Sequence, residues 1–362
     1  MNGVTVIAEA GVNHNGDLEL ALRLVDAAKA AGADVVKFQT FLADQLVTPG
    51  AARAAYQERN SGGTESQLAM LKRLELGFEE HRTLAAHCRA VGIEFLSTAF
   101  DFTSLAFLVD ELSLTTLKVP SGELTNAPFV LAHARAAEQL IVSTGMASLA
   151  DIEAALAVIA FGFTAAPDAA PTIDAFAEAY SSTAGREALH DRVTILQCTS
   201  EYPAPAEQVN LAAMPAMGSA LGLRYGYSDH TEGIAVPMAA AALGARVVEK
   251  HFTLDRSLPG PDHRASLEPG QLAAMVSGIR EVTAALGDPV KRPQPSELPN
   301  RGLARKSLVA IASVRAGERF TPQTLGVMRP GTGLSPYGYW ALLGTAASRD
   351  YAPGDLIDEG TR

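Results

Sequence analysis

The feature that most constrains this chain is an eightfold alternation of short apolar, β-branched runs with stretches of helical period. The runs predict strands at 4–8, 35–39, 93–98, 115–119, 140–144, 193–198, 223–227 and 246–251. Helical patterns follow at 18–31, 79–91, 103–112, 126–138, 148–159, 207–218, 232–243 and 268–286. Alternation of this kind is typical of parallel strands covered by helices. It predicts an α/β fold, a closed (β/α)8 TIM barrel, over residues 1–286.

Three segments depart from this alternation. Residues 41–77 form a long connection, and connections of that length inside a domain are often functional. Residues 161–190 predict an excursion at the surface with a short helix near 172–180. The proline-containing stretch 287–302 predicts a linker. Residues 303–362, with a strand at 307–311 and turns at 314–318 and 352–355, predict a small β-rich domain.

Composition excludes several classes of protein. The chain carries 40 acidic and 29 basic residues, a net charge of -11, which argues against a nucleic-acid-binding scaffold. Its two cysteines have no CxxC spacing and are expected to be buried thiols in a reducing compartment. No secretion signal is recognisable, and no run approaches the ~18 apolar residues of a membrane span. We therefore expect a cytoplasmic protein without membrane contact.

Polar side chains follow every predicted strand, at the end where barrel enzymes carry their chemistry. Lys37 and Lys118 are suited to neutralise a phosphate and a carboxylate, and neighbouring hydroxyls to add donors, which predicts an anionic phosphorylated ligand. The residues at the eight strand ends are Glu9, Asn13, His14, Lys37, Gln39, Ser97, Thr98, Lys118, Ser121, Glu123, Ser143, Thr144, Thr199, Ser200, Tyr202, Ser228, Asp229, His230, Glu249, Lys250 and His251.

Two histidines, His230 and His251, end the neighbouring seventh and eighth strands. Imidazoles in such a pair, with positions left open for water and substrate, suit a divalent transition metal. Mn²⁺ is the expected ion, with Mg²⁺ and Co²⁺ as alternatives. Four other histidines are interpreted as structural: His81, His87, His133 and His190.

The same residues lie in motifs that closely resemble those of the bacterial sialic-acid synthases, which make N-acetylneuraminate or legionaminate. The resemblance spans nearly the whole chain in order. It rests on the segments 7–16 (IAEAGVNHNG), 36–40 (VKFQT), 120–123 (PSGE), 143–146 (STGM), 227–231 (YSDHT), 249–253 (EKHFT), 260–263 (GPDH) and 329–331 (RPG).

Membership in this family would imply a particular architecture and reaction. The barrel would be followed by an antifreeze-like (SAF, β-clip) domain that swaps across a homodimer and caps the partner's active site. The enzyme would be a metal-dependent transferase that forms a C–C bond between phosphoenolpyruvate and N-acetylmannosamine, giving N-acetylneuraminate and phosphate by C–O cleavage.

The alternative within the family is an N,N'-diacetyllegionaminate synthase, which takes a 2,4-diacetamido-2,4,6-trideoxy hexose. A pseudaminate synthase fits less well, because those enzymes resemble Asn-His-Ala-Gly where this chain has residues 13–16 as Asn-His-Asn-Gly. Outside the family, a catalytically silent sugar-binding barrel and a metal aldolase that uses pyruvate remain as alternatives.

The resemblance also implies roles for single residues. Catalysis would fall to Glu9 and Glu123, and their division of labour stays open. Arg329 would reach the partner's sugar from the cap. Ser200 departs from the asparagine or threonine usual beside the phosphate. The implied phosphoenolpyruvate ligands are Lys37, Thr98, Lys118, Ser121, Ser143, Ser200 and Ser228; the sugar contacts are Gln39, Glu123, Tyr202, Asp262 and Arg329; the metal ligands are His230 and His251.

Overall fold

Eight strands of the amino-terminal unit pair in parallel, and each lies at one of the predicted apolar runs. The computed structural model describes residues 3–61 and 65–358. Its sheet has the order β3-β2-β1-β8-β7-β6-β5-β4. The outermost strands in this order, β3 and β4, contact each other but share no backbone ladder among the described residues. The sheet is therefore a nearly closed, TIM-like barrel. The strands are β1 Thr5–Gly11, β2 Val35–Thr40, β3 Glu94–Ala99, β4 Thr116–Val119, β5 Gln139–Ser143, β6 Val193–Cys198, β7 Arg224–Asp229 and β8 Val247–His251.

Helices connect the strands, and several begin or end at the residues that sequence chemistry favours. Asp17 caps the first helix by accepting hydrogen bonds from two backbone amides, and Gly92 ends the fifth in a left-handed conformation. No described helix is long and apolar enough to cross a membrane. The helices of this unit are α1 Leu18–Ala30, α2 Ala43–Leu46, α3 Ala55–Ser61, α4 Gln67–Leu74, α5 Phe78–Val91, α6 Phe102–Ala106, α7 Ala127–Ala136, α8 Leu149–Thr164, α9 Ile173–Ser181, α10 Thr183–Arg192, α11 Ala213–Leu221, α12 Ala235–Ala242 and α13 Pro269–Leu286.

Side chains alternate across the barrel wall, so one set of strand residues faces the helices and the other faces the barrel interior. The outward set includes Val6, Ala8 and Val248, which join the core under the helices. The inward set forms an apolar plug of Ile7, Val35, Leu96, Ile141, Leu196 and Val247. The plug fills the lower barrel. The residues two positions further along these six strands line its upper end, and all but one are polar: Glu9, Lys37, Thr98, Ser143, Cys198 and Glu249.

The two irregular segments of the barrel unit are largely helical. The connection 41–77 contains α2, α3 and α4, and its apolar residues Phe41, Met70 and Leu74 form a small cluster with Val12. The segment 161–190 holds α9, close to the expected short helix, followed by α10. Both helices pack on α8 and bury Ala179 and Leu189. The segment is thus a packed helical extension of the barrel wall.

The carboxyl-terminal unit begins after Gly287 and has a small apolar core of its own. Its elements are α14 Leu298–Ala304, β9 Ser307–Ala310, β10 Leu325–Met328 and α15 Tyr339–Leu342. β9 and β10 pair antiparallel, and the expected turns form at Gly317 and Gly354. Part of the expected linker is helical, since α14 begins at Leu298. The antifreeze-like assignment of this unit stays a prediction.

Candidate active site

A cavity of about 510 Å³ opens at the carboxyl ends of the barrel strands. Every barrel residue that the sequence assigned to catalysis, substrate or metal lines this cavity. The alternation of side chains explains the grouping of the strand residues, which share the inward face above the apolar plug, and the loops that follow the strands add the others. The predicted residues that line the cavity are Glu9, Lys37, Gln39, Thr98, Lys118, Ser121, Glu123, Ser143, Ser200, Tyr202, Ser228, His230, His251 and Asp262.

The floor of the cavity is a network of four buried charges. Lys37 Nζ lies 2.8 Å from Glu9 Oε2 and 3.5 Å from Glu249 Oε2. Lys118 Nζ lies 3.1 Å from Glu249 Oε1. Two hydroxyls complete the network, since Lys37 donates to Thr98 Oγ1 at 3.0 Å and Ser228 donates to Glu249 Oε1 at 2.8 Å. The two lysines are thus held side by side by carboxylates, and both remain accessible to an anion that enters the cavity.

Burial and neighbouring charges shift the pKa values of these groups in different directions. Burial raises the pKa of Glu9 above its ordinary value, against the opposing effect of Lys37. Burial also favours a raised pKa at Glu249, but Lys118 and Lys37 outweigh it and hold that pKa below its ordinary value. Burial lowers the pKa of Lys118. Of the two carboxylates, Glu9 is therefore the more basic.

The histidine pair adjoins this network. The His230 and His251 rings lie with centroids 5.6 Å apart. His230 Nδ1 is 2.6 Å from the Thr199 carbonyl oxygen, which fixes Nδ1 as the protonated nitrogen and leaves Nε2 as an acceptor. Burial lowers the pKa of His230 to about 4 and that of His251 well below its ordinary value. Both rings are consequently neutral at pH 7, as a metal ligand requires.

A divalent transition metal fits this donor set. His251 Nδ1 is buried without a hydrogen-bond partner among the described residues, so a polar atom is left free at the site. In the part of the chain that the structure describes, no cluster of three or more histidine, cysteine or acidic side chains is arranged for a metal. A metal held by His230 and His251 would keep most of its coordination positions for water and substrate, as a catalytic metal does.

A group of small side chains forms a second corner of the cavity around Gly145. The backbone N–H of Gly145 donates to Ser121 Oγ at 2.9 Å. A Cβ at this glycine would lie 2.4 Å from Ser200 Oγ and 2.8 Å from Cys198 Sγ. Only glycine therefore allows the backbone to approach these groups. Ser121 and Ser200 thus lie together around Gly145, and Ser143 lines the same cavity.

The remaining predicted sugar contacts also line the cavity. Gln39 Nε2 donates to Glu9 Oε1 at 3.3 Å. Glu123 lies in the turn after β4 and accepts from Asn126 Nδ2 at 2.7 Å. Burial, with a smaller contribution from Glu9, raises the pKa of Asp262 to about 7. Glu9 is therefore the deeply buried carboxylate of the predicted catalytic pair, and Glu123 the one at the rim.

Tyr202 joins the histidines to the connection 41–77. Its ring packs on His230, with centroids 4.0 Å apart, and meets His251 edge to face at 5.6 Å. Tyr56 of α3 also packs on the Tyr202 ring, with centroids 4.8 Å apart. Asn60 Nδ2 bonds the carbonyls of Tyr202 and Pro261 at 3.0 and 2.8 Å. The long connection thus forms one wall of the cavity.

Arg329 lies in the carboxyl-terminal unit, at the end of β10. It is exposed, and its Nε donates to the Ala304 carbonyl oxygen at 3.1 Å. Its peptide bond to Pro330 is cis. The predicted contact of this side chain with a partner's sugar stays a prediction.

Sequence reasoning gave no role to Glu249 and did not predict that one wall of the cavity is apolar. Glu249 was noted at a strand end but given no role, although it is two residues before His251 and therefore on the same inward face. That spacing was the available signal. The wall consists of Phe41, Leu46, Val47, Met70 and Leu71, all contributed by the connection 41–77. No periodicity in the connection indicated which of its residues face inward.

Asn13 and His14, which the sequence places at the end of β1, have structural roles. Asn13 Nδ2 donates to the Phe252 carbonyl at 2.8 Å and to Ser266 Oγ at 2.9 Å, which joins β1 to the end of β8. His14 Nδ1 accepts from the Gly16 backbone N–H at 3.0 Å. The four residues 13–16 therefore form a turn at the end of β1, and none of them lines the cavity.

A near-closed parallel barrel with paired lysines, carboxylates and histidines at its strand ends has the arrangement of a barrel enzyme. The chain belongs to the NeuB family, whose model matches residues 24–291. It is 43% identical to the N,N'-diacetyllegionaminic acid synthase of Campylobacter jejuni, over 99% of this chain and 100% of the relative. It is also 43% identical to the enzyme of the same name from Legionella pneumophila, over 97% and 92% of the two chains.

Relatives named for sialic acid are less similar. The human N-acetylneuraminate-9-phosphate synthase is 33% identical, over 98% of this chain and 92% of the relative. Among solved structures, the N-acetylneuraminic acid synthetase of Leptospira borgpetersenii matches with a TM-score of 0.64 at 32% identity, covering 83% of this chain and 90% of that one. The family, the barrel and the enzymatic nature of the relatives agree with the resemblance read from the motifs.

Proposed function

We propose that this protein condenses phosphoenolpyruvate with a 2,4-diacetamido-2,4,6-trideoxy hexose to give N,N'-diacetyllegionaminate and phosphate. The observation that carries this proposal is the 43% identity, over nearly the full chain, to two relatives named N,N'-diacetyllegionaminic acid synthase. The identity to a synthase named for N-acetylneuraminate 9-phosphate is 33%. The alternative sugar is therefore favoured over N-acetylmannosamine, which the motifs alone put first.

The chemistry of the cavity supports the same choice. A trideoxy, diacetamido sugar presents a C6 methyl and a second acetamido methyl where N-acetylmannosamine presents hydroxyls. Burying hydroxyls against an apolar surface without hydrogen-bond partners is unfavourable, whereas burying methyls is favourable. The wall of Phe41, Leu46, Val47, Met70 and Leu71 offers such a surface. In this proposal the wall receives the methyl-bearing end of the sugar.

Phosphoenolpyruvate would bind over the charge network. Its phosphate and carboxylate find Lys37 and Lys118 at the floor, with Thr98 and Ser228 hydroxyls beside them. Ser121, Ser143 and Ser200 add hydroxyls from the neighbouring strands. Buried lysines bind an anion strongly because the low dielectric of the site strengthens the interaction. The carboxylates of Glu9 and Glu249 give up ammonium contacts when the anion takes their place.

Glu9 is the proposed general base. It is buried, its pKa is raised by burial, and it lies on the floor beside Lys37. A base with a raised pKa takes a proton from water more readily than an ordinary carboxylate. His230 and His251 would hold the divalent metal, which supplies Lewis-acid polarisation of the sugar aldehyde when bound. Glu123, at the rim, is placed to bind the sugar.

The proposed reaction forms one C–C bond and breaks one C–O bond. The enol carbon C3 forms a bond to the aldehyde carbon, and water oxygen bonds to C2 while one of its protons passes to Glu9. The aldehyde oxygen takes up one proton, which Glu9 returns after the attack of water, and becomes a hydroxyl. The C2–O bond to phosphate then breaks as the new C2 hydroxyl passes its proton to the departing phosphate and becomes the ketone. One water is consumed and one phosphate is released per sugar.

The decisive experiment compares two aldehydes with phosphoenolpyruvate and Mn²⁺, measuring phosphate release and product mass. We expect kcat/KM for the diacetamido-trideoxy hexose to exceed that for N-acetylmannosamine by at least about tenfold, the range that differences in pocket contacts provide. The reverse preference would identify an N-acetylneuraminate synthase. Phosphate release with neither sugar would point to a silent barrel, and product from pyruvate to an aldolase.

A further inference from the structure

A second buried charge pair lies behind the two histidines, on the outward face of the same strands. Lys250 Nζ and Asp229 Oδ2 are 2.5 Å apart, and both side chains are fully inaccessible to solvent. The two residues are directly opposite each other in the β7–β8 pairing. Because side chains alternate along a strand, this pair faces the helices while His230 and His251 face the cavity. It plays no part in the chemistry proposed above.

Lys250 is bonded to both chain neighbours of His230, Asp229 and Thr231. Lys250 Nζ donates to Asp229 and also to the carbonyl oxygen of Thr231. Asp229 Oδ1 accepts from the Thr231 backbone N–H at 2.9 Å and from the Tyr227 hydroxyl at 3.0 Å. Lys250 immediately precedes His251 in the chain. One ammonium group thus fixes the backbone that carries one histidine against the backbone that carries the other.

The position of the His251 ring depends on its backbone more than the position of the His230 ring does. The His230 ring is fixed by the bond of Nδ1 to the Thr199 carbonyl oxygen. His251 Nδ1 has no hydrogen-bond partner among the described residues, so the position of this ring follows from its backbone and from its contacts with the Tyr202 and His230 rings. The spacing of the two rings is therefore sensitive to the junction between β7 and β8.

From this geometry we infer that Asp229 and Lys250 are positioning residues that set the spacing of His230 and His251 for a divalent metal. A buried ion pair is a poor source of net stability, because desolvation of both charges offsets their attraction, and apolar substitutes of similar volume are often as stable. Metal affinity, by contrast, depends strongly on the groups that orient the ligands. The inference rests on the proposed metal assignment.

The test measures Mn²⁺ binding to the metal-free protein by calorimetry, without substrate. The double variant Asp229→Asn with Lys250→Met removes both charges together and leaves an acceptor for Tyr227 and Thr231. We expect its Kd for Mn²⁺ to rise about 10- to 100-fold, the range found when groups that orient metal ligands are lost. The visible spectrum of bound Co²⁺ should change as well, while the urea midpoint of the metal-free protein stays close to wild type.

The matched control breaks an ion pair at the opposite end of the barrel. Arg280 lies 2.6 Å from Asp34, at the start of β2, and Asp34→Asn with Arg280→Met removes that pair. This control should bind Mn²⁺ with wild-type affinity. If the double variant at 229 and 250 also keeps the wild-type Kd and Co²⁺ spectrum, the inference is wrong. If the wild type itself binds none of Mn²⁺, Co²⁺ and Mg²⁺, the metal assignment fails instead.

A milder variant decides the case if the double variant does not fold. Tyr227→Phe deletes one hydrogen bond to Asp229 and leaves both charges in place. We expect a several-fold rise in the Kd for Mn²⁺, since Asp229 loses one of the bonds that hold it. An unchanged Kd in this folded variant would overturn the inference.

Discussion

Glu9, Lys37, Lys118 and Glu249 lie at the floor of the cavity, where an isolated charge would cost several kcal/mol. Each is tolerated because the others neutralise it. The balance leaves the network with two positive and two negative groups in the absence of substrate. In the proposed reaction, an anionic substrate displaces internal partners of the two lysines, and this exchange would free Glu9 to act as a base.

Glu9→Gln tests that role at the scale of one residue. Glutamine keeps the volume and can still bond Gln39, but it cannot take a proton, so we expect kcat to fall about 10²- to 10⁴-fold. Glu249 alone then faces two buried lysines, so we also expect the melting temperature of the substrate-free protein to fall. Asp26→Asn, which alters an exposed carboxylate bonded to His87, is the matched control. Retention of wild-type kcat in Glu9→Gln would exclude Glu9 as the base.

Asp262 gives a pH-dependent prediction. Its pKa is raised to about 7 in the folded protein by burial and by Glu9, from 3.8 in the unfolded chain. The folded state therefore holds a proton that the unfolded state has released between these pH values, and stability is lost as pH rises from about 4 to about 7. An asparagine introduced by Asp262→Asn stays neutral at every pH and does not lose this contribution.

We expect Asp262→Asn to match the wild type near pH 4 and to exceed it at pH 8, by on the order of 4 kcal/mol at most, at ~1.4 kcal/mol per pKa unit. The measurement is urea unfolding of the metal-free protein across this range. Parallel stability curves for the two proteins would show that Asp262 is ionised in the folded state.

Single residues were predicted from sequence with uneven success. Lysines, histidines and serines at strand ends were recognised because alternation and the position of barrel active sites specify where they point. Glu249 received no role because the sequence does not show that two lysines approach it from β2 and β4. Asn13 and His14 were noted beside Glu9, but their turn depends on Phe252 and Ser266, far away in the chain.

At the scale of elements, the eight strands and most helices follow from local patterns, since each buries a continuous apolar stripe. The structure differs from the predicted elements where tertiary packing, and not the local sequence pattern, determines the conformation. The predicted helix at 207–218 is replaced by a 3₁₀ turn and α11, which starts at Ala213. The connection 41–77 has three short helices, and its inward face becomes defined only where Asn60 and Tyr56 meet Tyr202.

The loop after β5 provides a prediction for an element. Gly145→Ala would place a Cβ 2.4 Å from Ser200 Oγ and 2.9 Å from Ser121 Oγ, so either the loop or the two serine hydroxyls must shift. We expect KM for phosphoenolpyruvate to rise about tenfold or more, as one misplaced pair of hydrogen bonds costs at least ~1.4 kcal/mol, with KM for the sugar little changed. Gly270→Ala, in open space at the start of α13, is the control. An unchanged KM for phosphoenolpyruvate would separate this loop from phosphate binding.

The apolar wall of the connection 41–77 provides a second prediction at the scale of elements. Val47→Thr is nearly isosteric and places a hydroxyl in the wall. We expect kcat/KM for the diacetamido-trideoxy hexose to drop several-fold and that for N-acetylmannosamine to stay the same or rise, because a hydroxyl is matched to a hydroxyl. Val290→Thr, at an exposed position, controls for the substitution itself. Equal losses with both sugars would remove the wall from sugar selection.

For the whole molecule, sequence patterns identified a barrel and a smaller unit, because the loss of strand-helix alternation after residue 286 is unmistakable. The unit boundary in the structure falls at Gly287 and Asp288. The helical part of the expected linker was not foreseen, because prolines at its start also suit the first turn of a helix, and Pro299 occupies that place in α14. The arrangement of two chains stays a prediction from the family resemblance.

Mixing two inactive variants tests that arrangement. In the proposed site, His251→Ala removes a metal ligand from the barrel, and Arg329→Ala removes the sugar contact of the carboxyl-terminal unit. If Arg329 acts on the partner's site, a mixed dimer contains one barrel with His251 that is paired with a unit carrying Arg329. We expect each variant alone to be nearly inactive and co-refolded mixtures to recover up to about a quarter of wild-type activity, in proportion to the mixed dimers that form. The absence of any recovery, with mixed dimers present, would contradict the exchange.

The seam between β3 and β4 has a consequence for the opening motions of the barrel. These strands touch without a shared backbone ladder in the described residues, so the sheet has two edges there. Local opening starts where backbone bonds are fewest, and amide hydrogens along these two strands should exchange with solvent before those of β1 and β8. Thr98 and Lys118 sit on opposite sides of the seam. A phosphoenolpyruvate molecule bound by both residues would link β3 to β4 and stabilise the closed barrel. Its binding should therefore slow amide hydrogen exchange along these two strands.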